Sequence, residues 1–238
     1  IPLLYLSGEN MLQASFDERK MTGVKKYFFA NELWPQAFVN KNISSSYEPW
    51  SIMKPIAMGI AIDTDSVGLY DYYNDPWKVQ VWEYTISNVS RACIWTHTFL
   101  HALEFSCNVW MIRMAQNLSK YVFYNYMDRL WFGKITWIEL AWEDGGKIPD
   151  VNNVPLPQYY NNTYLQGLLA TPLQMAVWFA TLINWWILYQ PSIVYGISDS
   201  NWKIQEVPPK VVTKLFKEKT SSLMRTALES VLSNWWSK

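Results

Sequence analysis

The sequence predicts a mixed domain of the α/β (α+β) class, and three observations carry that reading. Half of the 238 residues are hydrophobic and 17% are charged, which is enough apolar surface for a sizeable core and excludes a disordered chain. The apolar stretches Ser51–Ile62 and Pro172–Ile183, and Val212–Leu232 with apolar residues at Leu215, Leu223, Leu228 and Val231, read as helices. Between them lie short apolar runs bounded by Gly, Asn and Pro, which read as strands and hairpins.

Taken in order, Leu3–Ala14 holds Ser7-Gly8-Glu9-Asn10 between apolar runs and reads as a hairpin. Ser44–Pro49 is a polar loop ahead of the apolar helix that opens at Ser51. Asp71–Ile86, rich in Tyr, Asn and Pro, reads as loop with short strand pieces. Thr96–Phe105 and Val109–Leu118 read as two helices around the polar break Ser106-Cys107-Asn108, followed by an amphipathic helix over Val122–Leu130. Ile148–Thr163 reads as an irregular connection.

From Val151 to Ser198 there is no Asp, Glu, Lys or Arg, and Met175–Tyr189 invites a transmembrane reading. The punctuation argues otherwise. Thr171 is a good N-cap and Pro172 suits the first helical position, giving a helix that runs to about Ile183. Its length of roughly 18 Å falls short of the ~30 Å hydrocarbon core. Asn184 and Pro191 interrupt the rest of the apolar run, so strands are expected at Ile187–Tyr189 and Ser192–Ile197. Val212–Leu232 completes the pattern as a long helix.

Twenty Lys+Arg balance twenty Asp+Glu, and no basic block occurs, so no nucleic-acid partner is expected. Cys93 and Cys107 are too few for a disulfide framework and lack metal-ligand spacing. His97 and His101 are four apart, but Thr98 stands where a zinc-protease motif needs Glu, so a packed or surface helix face is expected and no metal. Glu143-Asp144, with Gly145-Gly146 after it, reads as a solvated turn. No positively charged region precedes Ile1–Leu6, so no signal peptide is visible. With turn-like residues just before Lys238, the sequence reads as an internal piece of a longer chain.

One count is abnormal: Trp occurs 15 times and Gly only 9 times, where average usage of about 7% would give roughly 17 glycines. The tryptophans stand where glycines belong. Asn-Gly is the strongest tight-turn dipeptide, and it is absent, whereas Asn184-Trp185, Asn201-Trp202 and Asn234-Trp235 occur. Asp75-Pro76-Trp77 likewise reads as a Pro-Gly turn. These contexts ask for positive φ, which glycine alone adopts freely. They imply that UGA encodes glycine in the source and has been translated as tryptophan.

Chemistry concentrates at Ser51-Ile52-Met53-Lys54. At the start of a helix, residues three apart share a face, so the Lys54 amine can approach the Ser51 hydroxyl. A lysine desolvated against Ile52, Ile56 and Met58 loses basicity toward neutrality and becomes a base for a serine nucleophile. Alone, the spacing equally describes a capping serine followed by a solvated lysine. Ser106-Cys107-Asn108 adds a second hydroxyl and an amide between two helices, where both can point into a cleft.

In order and spacing, these two segments resemble the first motifs of the penicillin-binding proteins and serine β-lactamases. Tyr47-Glu48-Pro49-Trp50-Ser51-Ile52-Met53-Lys54-Pro55 is similar to the family's Tyr-Glu-Pro-Gly-Ser-x-x-Lys-Pro, and Leu103 to Val109 to its Ala-Leu-x-x-Ser-Ser-Asn-Val stretch. Leu130-Trp131-Phe132-Gly133 and Thr136-Trp137-Ile138-Glu139-Leu140 resemble Leu-Gly-Phe-Gly and Thr-Gly-Ile-Asp-Leu. Gln166-Gly167 and Thr171-Pro172-Leu173-Gln174 match outright, while Leu165 departs from the glycine usual before Gln166. The resemblance runs from about Ser7 to Lys238 and also puts glycine at Trp50, Trp110, Trp131, Trp137, Trp142, Trp185 and Trp186.

The resemblance implies a β-lactamase/transpeptidase-like fold, an antiparallel sheet flanked by helices, with residues 1–238 forming a partial transpeptidase domain truncated at its C-terminal side. It implies a peptidoglycan D,D-transpeptidase of the class B, division type. Ser51 would be the acylated nucleophile, Lys54 its base, Ser106 a proton relay and Asn108 a substrate-binding amide, with the Ser51 backbone N–H forming half of an oxyanion hole. The family's Lys-Thr/Ser-Gly strand is not found. Lys219-Thr220-Ser221 looks similar but lies in a helical pattern, so the motif is expected after Lys238 and the fragment by itself is expected to be inactive. Implied partners are peptidoglycan stem peptides, β-lactam antibiotics and cell-division membrane proteins. The implied location is the extracytoplasmic face of a bacterial inner membrane, with no cofactor. A β-lactamase or penicillin sensor, and a non-catalytic interaction module of a division complex, are the competing readings.

Overall fold

The computed structural model describes residues 39–163 and 167–236. The hairpin expected at Leu3–Ala14, together with Leu165 and Gln166, lies outside them. The described residues form eight α-helices and eight strands in the order α1 (Lys41–Ser44), α2 (Lys54–Asp63), β1 (Tyr72–Asp75), β2 (Lys78–Val81), β3 (Tyr84–Ser87), β4 (Trp95–Thr98), α3 (Phe99–Glu104), α4 (Val109–Asn117), α5 (Lys120–Arg129), α6 (Leu156–Asn162), α7 (Pro172–Ile183), β5 (Ile187–Tyr189), β6 (Gly196–Ser198), β7 (Ile204–Glu206), β8 (Val211–Lys214) and α8 (Glu218–Trp236). The strands pair antiparallel as β1 with β4, β2 with β3, β5 with β8 and β6 with β7. This is the mixed class the pattern predicts.

Helix α2 is the axis of the core. Every one of its residues from Lys54 to Asp63 is buried, so it has no polar face to orient it. It packs against α4, α5, α7 and α8. Gly59 lets α7 pack close: a Cβ there would lie 2.5 Å from Leu182 Cδ1. At the far end, the Asp63 carboxylate accepts from the Tyr126 hydroxyl at 2.5 Å, the Lys217 N–H at 2.6 Å and the Thr220 hydroxyl at 2.7 Å. That cluster ties α2 to α5 and to the start of α8.

Helix α7 begins as the sequence predicts. The Thr171 hydroxyl accepts from Gln174 N–H, and the Gln174 side chain accepts in return from Thr171 N–H, forming a capping box with Pro172 in the first turn. Among the described residues no helix is long and apolar enough to cross a membrane.

Several boundaries differ from those the sequence pattern predicts. Thr96–Phe105 is not one helix: Trp95–Thr98 is strand β4, and the helix starts at Phe99 with Thr98 as its cap. Asp71–Ile86 is more ordered than expected, holding three strands. Ile148–Thr163 contains α6, begun by Pro157 in its first turn. Val212–Leu232 divides into β8 and α8, because β8 pairs with β5 and that pairing overrides the helical pattern. The late strand is Gly196–Ser198 rather than Ser192–Ile197.

Cys93 and Cys107 are bonded to each other, closing a loop of sequence separation 14. The cysteine count alone speaks against a framework of bridges, and this single bridge is the correction.

The backbone separates the tryptophans sharply. Among the described residues, positive φ occurs at Trp50, Trp77, Trp82, Trp95, Trp131, Trp137, Trp142, Trp185, Trp186 and Trp202, and the other non-glycine cases are Asp65 and Ser106. A left-handed conformation costs a residue with Cβ roughly 1–2 kcal/mol. Ten such residues together cost about 10–20 kcal/mol, comparable with the whole margin of about 5–15 kcal/mol that holds a domain folded.

Candidate active site

Ser51 lies in a 3₁₀ turn, Trp50–Met53, that leads directly into α2. The helix proper therefore opens at Lys54 rather than at Ser51. Pro55 at the helix start fixes this entry, and the Lys54 N–H closes the turn onto the Ser51 carbonyl. The preceding strand-like segment is held by a reciprocal bridge between Tyr47 and Ala170, each N–H donating to the other's carbonyl at 3.0 Å. Glu48 adds an acceptor for Gly167 N–H at 3.1 Å. The nucleophile candidate is thus fixed from both sides, and its side chain remains half-buried at the surface.

Lys54 is only 1% exposed. Its Nζ donates to the Ser106 carbonyl at 2.7 Å, to the Asn108 Oδ1 at 2.8 Å and to the Ser106 Oγ at 3.0 Å. Burial pushes this amine down from 10.5 to about 7, because removal from water penalises the charged form. Lys54, Ser106 and Asn108 therefore meet at one place although 52 residues separate Lys54 from Ser106, and Ser51 lies in the turn that leads into Lys54. Among the described residues, Lys54 binds Ser106 and Asn108 rather than Ser51, so the amine reaches the second motif directly.

Ser106 sits at φ +51, a left-handed conformation uncommon for a serine. The turn directs its carbonyl and hydroxyl toward the same amine. Cys107 behind it is buried and bonded to Cys93, which anchors the turn to the segment before β4.

Sequence reasoning missed Asn88. Its buried side chain accepts from Asn108 N–H at 2.7 Å and Val109 N–H at 2.9 Å, and donates to Asp75 Oδ1 at 2.9 Å. Asn108 Nδ2 also donates to the Ser87 carbonyl at 3.1 Å. No local spacing signals this, since Asn88 lies 20 residues from Asn108. Gln174, the last residue of the Thr-Pro-Leu-Gln match, has a structural task as well, with Nε2 donating to the Lys134 and Gly145 carbonyls, both at 2.8 Å.

Other sequence candidates resolve into structural roles. Thr220 and Ser221 lie buried in α8, the first bonded to Asp63 and the second to the Leu182 carbonyl at 2.7 Å, so Lys219-Thr220-Ser221 is no strand motif. His97 is in β4 and His101 in α3, so they do not share a helix face; their rings stack with centroids 4.1 Å apart. Among the described residues no cluster of His, Cys, Asp and Glu could hold a metal. Glu143 is half-buried rather than solvated, accepting from Thr136 N–H at 2.7 Å and Trp137 N–H at 3.1 Å.

Residues 7–235 match the family described as the penicillin binding protein transpeptidase domain. The chain is 27% identical over 199 residues to stage V sporulation protein D of Bacillus subtilis (strain 168), covering 82% of this chain and 31% of that protein. It is 26% identical over 224 residues to the peptidoglycan D,D-transpeptidase FtsI homolog of Mesostigma viride, covering 84% of this chain and 37% of the relative. Among solved structures, its fold is similar to penicillin binding protein 3 of Mycobacterium tuberculosis complexed with aztreonam, with a TM-score of 0.74 at 22% identity, covering 81% of this chain and 43% of that one. The chain spans about a third of the length of the curated relatives it matches.

Proposed function

This chain belongs to the penicillin binding protein transpeptidase domain family, and from that premise we propose that it is the acylating part of a peptidoglycan D,D-transpeptidase. The observation that carries the reading is the buried Lys54 amine, brought to about 7 and held between Ser106 and Asn108 one turn after a half-buried serine. A structural lysine has no need of such a place. A base that must accept a proton near neutral pH does.

The substrate is a stem peptide ending in D-Ala-D-Ala. Ser51 Oγ attacks the carbonyl carbon of the terminal peptide bond, and its proton passes to the neutral Lys54 amine. The oxyanion so formed is stabilised by the Ser51 backbone N–H. The C–N bond then breaks, and the departing D-Ala nitrogen takes a proton through the Ser106 hydroxyl, which lies 3.0 Å from Lys54 Nζ. The acyl group remains on Ser51 as an ester. In the second half, an amine from a neighbouring stem peptide attacks that ester, the new amide cross-links two strands, and Ser51 recovers its proton. Asn108, with Oδ1 on Lys54 and one Nδ2 hydrogen on the Ser87 carbonyl, offers its second Nδ2 hydrogen to the substrate backbone. A β-lactam presents its ring amide to the same serine; ring opening leaves the nitrogen tethered, so the ester persists.

The division class is favoured by the relatives' names and by the Tyr47-Glu48-Pro49 and Ser106-Cys107-Asn108-Val109 contexts. The proposed working place is outside the cytoplasmic membrane, beside division-complex proteins. The Cys93–Cys107 bridge supports that placement, because such bonds persist in oxidising compartments. The decisive experiment is labelled penicillin on the natural protein and on Ser51→Ala. A long-lived adduct that maps to Ser51 and vanishes in the variant is expected. Rapid turnover of the drug would indicate a β-lactamase, and no adduct at all a non-catalytic module.

A further inference from the structure

The tryptophans fall into two populations that the sequence alone does not separate, and we propose that the natural protein carries glycine at eleven of these positions. The first ten are Trp50, Trp77, Trp82, Trp95, Trp131, Trp137, Trp142, Trp185, Trp186 and Trp202, all at φ between +50 and +86. Residues with Cβ adopt this region in only a few per cent of cases, and bulky ones less often. Chance would therefore put fewer than one of them there. Glycine adopts it freely.

Exposure tells the same story without reference to φ. Seven of the ten, Trp50, Trp82, Trp95, Trp137, Trp142, Trp185 and Trp202, are 52–89% exposed, although tryptophan is ordinarily among the more buried residues. Trp82 and Trp95 are assignments that the backbone adds, since neither sits in a turn motif the sequence announces. Trp82 lies at the tip between β2 and β3, with φ +55.

The eleventh position is Trp110, inside α4 and fully buried. Its indole N–H is a buried donor with no partner among the described residues, which a native tryptophan rarely tolerates. Trp178 is the contrast. It is equally buried, but its N–H donates to the Leu130 carbonyl and its ring stacks on Phe132. Trp178 is a genuine tryptophan. Translation of UGA as glycine, with UGG retained for tryptophan, produces this division in one step.

The test is the gene together with the protein from its native source. UGA is expected at all eleven positions and UGG at Trp178. Mass spectrometry of the tryptic peptide Val79–Arg91 should return glycine at position 82. UGG at the ten positive-φ positions, or tryptophan in that peptide, would overturn the proposal, as would UGA at Trp178. A recombinant chain with glycine at the eleven positions should fold cooperatively and the chain as written should not; equal folding of both would also count against it.

A separate observation assigns a positioning task to Asp75 and Asn88. Asp75 Oδ1 holds Asn88 Nδ2, and Asn88 Oδ1 holds the N–H groups of Asn108 and Val109, so a buried chain fixes the amide that faces Lys54. Trp77 N–H, at 2.7 Å from Asp75 Oδ1, anchors the far end. The inference rests on the acylation chemistry proposed above. Its test is the rate of adduct formation with labelled penicillin in the natural protein and its variants.

Asn88→Asp places a second carboxylate against Asp75 and should slow acylation about tenfold to a hundredfold, with a displaced pH midpoint. The swapped pair Asp75→Asn with Asn88→Asp re-forms the bond between the two side chains and keeps an acceptor for the Asn108 and Val109 N–H groups, losing only the Trp77 N–H bond, and should recover most of the rate and the midpoint. Full activity in Asn88→Asp, or a swapped pair no faster than the single variant, would overturn the assignment. A natural protein that forms no adduct would instead fail the functional proposal, so the two failures are distinguishable.

Discussion

The Lys54 amine dictates a pH profile whose size is set by its burial. A lysine at the ordinary 10.5 is neutral in roughly 3 molecules in 10⁴ at pH 7. Lowered to about 7, it is neutral in roughly half of them, a gain of about 10³ in available base. The proton's direction gives the sign: the active form has lost its proton, so acylation rises with pH below about 7 and levels off above it. The rate should fall about tenfold for each pH unit below the midpoint, reaching about a hundredth of the plateau at pH 5. The neutral amine keeps two N–H groups, enough for the Ser106 carbonyl at 2.7 Å and Asn108 Oδ1 at 2.8 Å. Stopped-flow measurement of the second-order rate with a labelled penicillin, between pH 5 and 10, provides the assay. A rate independent of pH, or one still climbing tenfold per unit through pH 9, would refute the reasoning.

Further outcomes concern stability. Asp63→Ala leaves the Tyr126, Lys217 and Thr220 donors without their acceptor and should cost about 3 kcal/mol, read as a lower urea midpoint. Cys93→Ser opens the loop closed at separation 14 and should cost about 3 kcal/mol on loop entropy, read as a lower Tm. Thr171→Ala removes the α7 cap at about 1 kcal/mol, and Thr171→Ser should recover most of it. Gly59→Ala sets a methyl 2.5 Å from Leu182 Cδ1; a loss of about 1–3 kcal/mol is expected, relieved by Leu182→Ala in a double-mutant cycle.

How much the sequence disclosed depended on the range of its signals. Helix α7 was legible because its cap, its proline and its end at Asn184 are all local. The burial of Lys54 was legible in its apolar neighbours, whereas its bonds to Ser106 and Asn108 come from a distant segment and were not. The strand–helix junction at Thr98 was hidden, since Trp95–Thr98 becomes strand only by pairing with Tyr72–Asp75. β8 was hidden for the same reason, its partner lying beyond a long excursion. The contribution of Asn88 and Asp75 depends on a fold-level meeting that no spacing encodes. The disulfide was a question of geometry, and counting cysteines could not answer it. The glycine deficit was visible in composition, yet separating Trp178 from Trp110 required knowing where each indole N–H points.

Helix α2 has one further consequence. It carries a lysine at its N-terminal end and an aspartate at its C-terminal end, both buried, which is the reverse of what the helix dipole favours. Each charge is offset from outside the helix, Lys54 by the oxygens of Ser106 and Asn108, and Asp63 by the first turn of α8. The helix is therefore a poor autonomous folder that becomes correct only when its surroundings assemble around both ends. Selection for thermal robustness alone would replace Lys54 with an apolar residue such as Met and would erase the chemistry in doing so. Stability screens on this domain will accordingly recover inactive variants at position 54 first, and selections for the two properties must be run together.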